Sequence, residues 1–463
     1  MSPRSLAAFV LLTAVAAAPA GANTTYLPHN VAVQTNNRYG HDCFWAPPKG
    51  TDYGNLPGAL PIQTPNLYPD VGSTYFVAQY VLPEGASLTF RGRYPYERYF
   101  SWTMFKAVGG GQIGPGDHIK DADIAPDKGS INPFRPGSDR YVGPRNYTLH
   151  IVSGPIPATR APNTVYTGQT DPSARLGMSM RNYLADRGTD GTGGVGLPKL
   201  TLNLADGSHL QGTAACDALQ PIKDPSTSTF PPDAYKQLIA SSSDPTNAPA
   251  ANPPHWERFW NAQYSLVGVF MDDQAKREQT YPADDNGGFQ SNPDTRYLAT
   301  FISLKHGPVV TVTGRMPTFP TTLPTNRRWS PASYQVRYWS LCTGSAPVSG
   351  LGYDCVYDQQ VPLAAGRRYT MVISRAKDRP RNATARCGYR WLSFGAGENY
   401  DDPAARPWVD LLYMRFMAPN PSWAQAPQKM TKPNTEAEVM GAYYPRSQYL
   451  TKAGFEKRGC ARS

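Results

Sequence analysis

The chain has 463 residues with 45 Lys and Arg against 35 Asp and Glu, a formal charge of +10 and room for two or three domains. The basic excess suits an anionic partner such as an acidic polysaccharide or a cell envelope, and the absence of a basic helix or binding motif disfavours nucleic acid. With 41 Gly and 46 Pro, the composition punctuates short strands more readily than long helices.

In chain order, residues 1–22 read as a secretory signal. Arg4 supplies the charge, Leu6 to Ala18 is apolar and short for a membrane span, and Ala20-Gly21-Ala22 fits small-x-small cleavage, so the mature chain starts at Asn23. No later run approaches a transmembrane span. Residues 23–66 form an N-terminal extension and 67–215 a first β unit. Residues 216–290 form a Pro-rich linker with short helices, one of them from Asp233 to Ser242, capped by Asp233. The rings of Trp256, Phe259, Trp260 and Tyr264 are expected to pack the units together. Residues 291–425 form a second β unit. Residues 426–463 are a basic tail with short helices, where Thr435-x-x-Glu438 fits a capping box.

The two β units are repeats. At an offset of 222, residues 74–95 align without a gap to 296–317, with Tyr75/Tyr297, Leu82/Leu304, Gly85/Gly307, Thr89/Thr311, Gly92/Gly314, Arg93/Arg315 and Pro95/Pro317 identical. Arg98-Tyr99-Phe100-Ser101 then answers Arg337-Tyr338-Trp339-Ser340, Tyr147-Thr148 answers Tyr369-Thr370, and Met180-Arg181 answers Met414-Arg415. Short alternating strands with Gly and Pro turns predict a mainly β fold, each unit a sandwich or jelly roll.

The mature chain has six cysteines, an even count that in an exported protein predicts three disulfides. Cys342 and Cys355 flank a short Gly- and Ser-containing loop and are paired, a closure worth about 3 kcal/mol. The other four allow three pairings, of which Cys43–Cys216 and Cys387–Cys460 are taken.

The run Arg98-Tyr99-Phe100-Ser101, then Asn132-Pro133-Phe134 with Asp139-Arg140, the strand at Tyr147, and Asp190-Gly191-Thr192 leading to Leu197-Pro198 resembles the bacterial domain of unknown function 1214 family. The second unit, with residues 336–342 and 355–358, is similar to a group of uncharacterised secreted bacterial proteins. The resemblance covers most of the mature chain and implies a fold; it supplies no reaction.

Catalytic signatures are few. There is no Gly-x-Ser-x-Gly elbow, His-Glu-x-x-His or Walker loop, and the Gly-x-Gly-x-x-Gly at 109–114 meets Pro115 where a helix should start. Residues shared by both units read as fold determinants. Those found in one copy are the better functional candidates: His118, Asn163, Asp186 and Asp190 in the first unit, and Asp284 and Asp285 before the second. A lyase-like trio would be His118, Tyr99 and Arg98. No cofactor or metal is implied beyond a calcium loop at residues 186–192, for which an ordinary Asp/Gly turn is the favoured alternative. The leading expectation is a secreted or envelope-associated β protein that binds an acidic polysaccharide. The alternatives are an extracellular lyase or hydrolase, and a structural envelope protein.

Overall fold

A computed structural model describes residues 43–45, 49–50, 68, 70, 72–108, 112–141, 143–186, 189–221, 231–271, 273–279, 291–323, 333–348, 350–398 and 406–461. The expected signal and Asp284 and Asp285 lie outside them. The described chain is mainly β, with antiparallel sheets, and separates into two compact units. The first comprises residues 1–62, 72–228 and 322–330, and the second residues 63–71, 229–321 and 331–463.

The first unit contains β1 (Lys49–Gly50), β2 (Ser73–Val81), β3 (Ser87–Arg93), β4 (Glu97–Val108), β5 (Gln112–Lys120), β6 (Asn146–Val152), β7 (Thr164–Tyr166), β8 (Arg175–Ala185), β9 (Lys199–Asn203) and β10 (His209–Gln211), followed by helix α1 (Gly212–Leu219). They form two five-stranded sheets, ordered β1-β2-β8-β4-β5 and β10-β9-β3-β6-β7. One apolar cluster draws on both sheets, with Phe76, Trp102 and Met178 from one and Phe90, Leu149 and Leu202 from the other.

The second unit opens with helix α2 (Pro232–Ser241), then β11 (Glu257–Arg258), helix α3 (Gln274–Glu278), β12 (Thr295–Ser303), β13 (Val309–Arg315), β14 (Tyr338–Gly344), β15 (Gly352–Tyr357), β16 (Arg368–Ser374), β17 (Arg390–Ser393) and β18 (Val409–Met417). It closes with helix α4 (Glu436–Met440), β19 (Arg446–Leu450) and helix α5 (Lys452–Glu456). Its sheets run β11-β12-β18-β14-β15 and β17-β16-β13-β19. The segment expected to be a basic tail therefore supplies an edge strand. Trp256, Trp260 and Tyr264 lie in this unit's own apolar cluster, where they pack the second unit internally.

The repeat read from the sequence recurs in the strand order of both units, except that β10 has no counterpart in the four-stranded sheet of the second. β2 and β12, β3 and β13, and β6 and β16 begin and end 222 positions apart. Registers agree as well: Tyr75 faces Arg181 across β2 and β8, and Tyr297 faces Arg415 across β12 and β18. Ser101 and Ser340 meet the same two arginines from β4 and β14. In both copies the strand after the β6 or β16 position joins in parallel.

The repeated Gly-Arg-x-Pro motif has a steric cause. A Cβ on Gly92 would lie 2.8 Å from the Tyr147 ring, and one on Gly314 2.7 Å from the Tyr369 hydroxyl. Glycine lets each buried tyrosine lie flat across the neighbouring strand. Arg145 and Arg367, also 222 apart, donate through Nη2 to the carbonyls of Pro95 and Pro317. Asp121 and Asp358 each accept the N–H of the aromatic at the matching position of β4 or β14, Phe100 or Trp339.

All three disulfides follow the pairing read from the sequence: Cys43–Cys216, Cys342–Cys355 and Cys387–Cys460. Two local expectations differ. The helix at residues 232–241 has Pro231 as its cap residue and Pro232 in its first turn, with Asp233 favouring the helix dipole from inside that turn. No capping box forms at Thr435, whose hydroxyl donates backward to the Lys432 carbonyl.

Candidate functional site

Tyr96 and Glu97, where β4 begins, and Asp186, just past the end of β8, organise the site. The Tyr96 carbonyl accepts the Asp186 N–H at 2.8 Å, which clamps the two strand ends together. Glu97 follows Tyr96 and is 1% exposed, and neither of its carboxyl oxygens has a hydrogen-bond partner among the described residues. Burial pushes the Glu97 carboxyl well above the usual range. Asp121 and Asp186 push it the same way, against Arg140 and Arg145.

Asp186 is equally buried but paired. Arg140 Nη2 donates to its Oδ1 at 2.5 Å, and the Tyr141 hydroxyl donates to its Oδ2 at 3.1 Å. Arg140 also donates to the Glu97 carbonyl, and Arg145 Nη1 to the Arg140 carbonyl. Above this buried layer the Tyr141 ring is 45% exposed and stacks on Tyr96 with centroids 6.0 Å apart and planes 17° apart. The Arg145 guanidinium lies 3.8 Å from the Tyr96 centroid. Desolvation, and after it the Asp186 charge, push the Tyr141 hydroxyl up to about 12, so it stays a neutral donor.

The second unit shows what this position looks like without the site. Asn420 stands where Asp186 does, and its N–H bonds to the Gln335 carbonyl as that of Asp186 does to Tyr96. Gln335 and Val336 answer Tyr96 and Glu97 in the alignment, and Val336 is as buried as Glu97. The backbone arrangement therefore forms with a neutral set. Glu97, Asp186 and the Tyr96 ring are additions of the first copy that the fold does not require, whereas Arg145 has its counterpart in Arg367.

The sequence candidates fall in several places. Asp186 belongs to this cluster. Asp190 lies in the same turn, where its Oδ1 accepts from the Thr192 and Gly194 N–H groups and the Thr192 hydroxyl. Asn163, at φ 50°, ties β6 to the loop after β5: its amide donates to the Ala125 and Thr148 carbonyls and accepts the Ala125 N–H. Arg98 and Tyr99 are fully buried on β4, Arg98 donating to the Thr322 hydroxyl and Tyr99 packing edge-on to Tyr183. His118 on β5 is opposite Thr103, roughly 13 Å along β4 from Tyr99, so these three do not converge.

Among the described residues, no group of three or more His, Cys, Asp or Glu could hold a metal, and no helix is long and apolar enough to cross a membrane. Glu97, Arg140 and Tyr141 were not singled out by sequence. The signal was available, because aligning Arg98 with Arg337 sets Glu97 against Val336, a carboxylate against a core residue.

No family model matches the chain, and no curated protein matches it. Among solved structures it is similar to an uncharacterised protein from Burkholderia cenocepacia, at 14% identity over 91% of this chain and 86% of the other, with a TM-score of 0.43. It is also similar to a protein from Vibrio parahaemolyticus, at 9% identity over 86% of this chain and 93% of the other, with a TM-score of 0.37. Neither likeness carries weight for function.

Proposed function

We propose that the chain is an exported, envelope-associated protein of two β-sandwich units whose first unit binds an extracellular acidic glycan on the Tyr96–Tyr141 platform. The observation that carries this reading is Tyr141, a ring 45% exposed yet fixed at its hydroxyl by buried Asp186 and backed by Tyr96. A ring held this way loses little freedom when a sugar face stacks on it.

The charge is suited to an anion. Arg140 and Arg145 are the cations of this site, Arg140 donating to the Asp186 carboxylate, while burial favours a neutral Glu97. The excess of cationic residues over the whole chain acts in the same direction. Three disulfides and the apolar run at 6–18 support export. Both carboxyls lie beneath the rings with almost no exposed surface, which favours binding over turnover.

The test is retention of the purified chain on immobilised alginate, polygalacturonate and sulfated glycans, with neutral glucan as the control. Salt-sensitive retention that Tyr141→Ala abolishes supports the reading. Equal behaviour of the two proteins on every polymer overturns it.

A further inference from the structure

The second unit has a cleft of its own, about 190 Å³ in volume, between the segment at residues 249–259, the turns at 265–277 and the middle of β12. Its walls are apolar, with Pro249, Phe259, Val269 and Phe301 among them. Set into those walls is one ion pair. Arg277 donates to both carboxylate oxygens of Glu257, through Nη1 at 2.8 Å and through Nη2 to the other oxygen. The Arg277 stem passes over Gly268, where a Cβ would lie 2.8 Å from its Cγ, and its guanidinium sits 4.2 Å from the Tyr264 ring centroid. Ser265 and Thr300 add hydroxyls, and His255 stands at the mouth, 3.8 Å from Glu257 and more than half exposed.

Such a cleft offers acceptor and donor side by side, fixed in geometry, between apolar surfaces. A sugar hydroxyl matches that combination because it donates to a carboxylate oxygen while accepting from a guanidinium or hydroxyl. The C–H face of a pyranose matches the phenyl rings. The volume has the bulk of one hexose ring. Charge narrows the class further. Of the two guanidinia that line the cleft, Arg277 is held by Glu257 and Arg258 is 3% exposed and donates to the Met430 carbonyl, so a uronate or sulfate would meet the Glu257 carboxylate with both cations already engaged.

We infer that this cleft is a binding site for a single neutral hexose unit, separate from the Tyr141 platform. Glu257 takes the sugar hydroxyls, Arg277 orients Glu257, and Phe259 and Phe301 hold the ring face. Nothing in this inference depends on the first unit binding an acidic glycan.

The experiment is saturation-transfer NMR and calorimetry on the full chain with the methyl glycosides of glucose, galactose, mannose and N-acetylglucosamine, and with glucuronate for comparison. At least one neutral glycoside is expected to bind, with glucuronate weaker. Glu257→Gln is expected to weaken that binding by about tenfold or more. Breaking the ion pair can unsettle the fold, so Ala251→Trp, at an exposed position on the cleft wall, serves as a second variant that plugs the cleft and leaves the pair intact; it is expected to abolish binding. Tyr141→Ala is expected to leave neutral-hexose binding unchanged. Absence of binding by all four neutral glycosides, or binding that survives Ala251→Trp, overturns the inference.

Discussion

Glu97 and Val336 occupy one position of the repeated fold. Each is 1% exposed, and each follows a residue whose carbonyl accepts the N–H of Asp186 or Asn420. One copy thus buries a carboxyl where the other buries an isopropyl group. A carboxyl buried without a partner is costly unless it takes up a proton.

That cost has a pH signature. The carboxyl's ordinary value is 4.5, and in the folded chain it lies well above this. A raised acid binds its proton more tightly when folded. Its stabilising contribution is therefore complete below the unfolded value and is lost as pH rises toward the folded one. The slope in that window is about 1.4 kcal/mol per pH unit for one group. Glu97→Val should flatten that part of the profile and raise stability at about pH 8 while changing little in acid. Urea unfolding across pH checks this; parallel profiles for the two proteins would refute it.

Asp410 repeats the argument in the second unit. It faces Ile302 across the β12–β18 ladder, where Leu176 faces Tyr80 in the first unit, and both residues are buried. Burial, with Glu398 adding to it, pushes the Asp410 carboxyl well above its ordinary 3.8, against the nearby Leu411 N–H and the charge of Arg375. Asp410→Leu should likewise stabilise the chain most above neutral pH. Combined with Glu97→Val, its gain should add within about 0.5 kcal/mol, since the two residues belong to different units and share no partner. Strong non-additivity in the double variant would contradict the independence of the two sites.

Gly92→Ala and Gly314→Ala should destabilise by similar amounts, about 1–3 kcal/mol each, because the added methyl meets the buried Tyr147 or Tyr369 ring in the same way. Tyr147→Phe and Tyr369→Phe should relieve part of each loss. Thermal melts of the four single and two paired variants check this, and a neutral Gly92→Ala would remove the steric account of the motif.

Much of the fold was legible because duplication prints it twice. The ungapped stretch at residues 74–95 and 296–317 contains β3 and β13 whole and all but the first residue of β2 and β12, with the Gly85 and Gly307 turns between them. The Cys342–Cys355 pairing was legible from its short loop, whereas the other four cysteines allowed three pairings. The site was less so. Asp186 stood out as unique to one copy, but its partners Arg140 and Tyr141 reach it across 46 and 45 positions, a distance no local pattern reports. Arg98 and Tyr99 drew attention as reactive types, yet they are shared with Arg337 and Tyr338 and are fully buried in strand β4. The aromatic run at residues 256–264 looked like a seam between units because its strand partner, β12, is distant in sequence.

The disulfides should differ in worth by the length of chain they close. Cys43–Cys216, with a separation of 173, should contribute about 5 kcal/mol, Cys387–Cys460 at 73 about 4, and Cys342–Cys355 at 13 about 3. Paired alanine replacements compared by denaturant unfolding give the order. Loss of the shortest loop costing most would show that packing around β14 and β15, rather than chain entropy, sets its value.

The Tyr141 platform is proposed to bind an acidic glycan. The most direct measurement is the affinity of the full chain for an acidic oligosaccharide, compared with Tyr141→Ala and Tyr141→Phe. The alanine variant should fold normally, because the ring is 45% exposed, and should lose about 1–3 kcal/mol of binding. The phenylalanine variant keeps the ring and loses only its tether to Asp186, so it should fall between the two. Affinity unchanged in the folded alanine variant, or no affinity of the native chain for any acidic glycan, would contradict the claim.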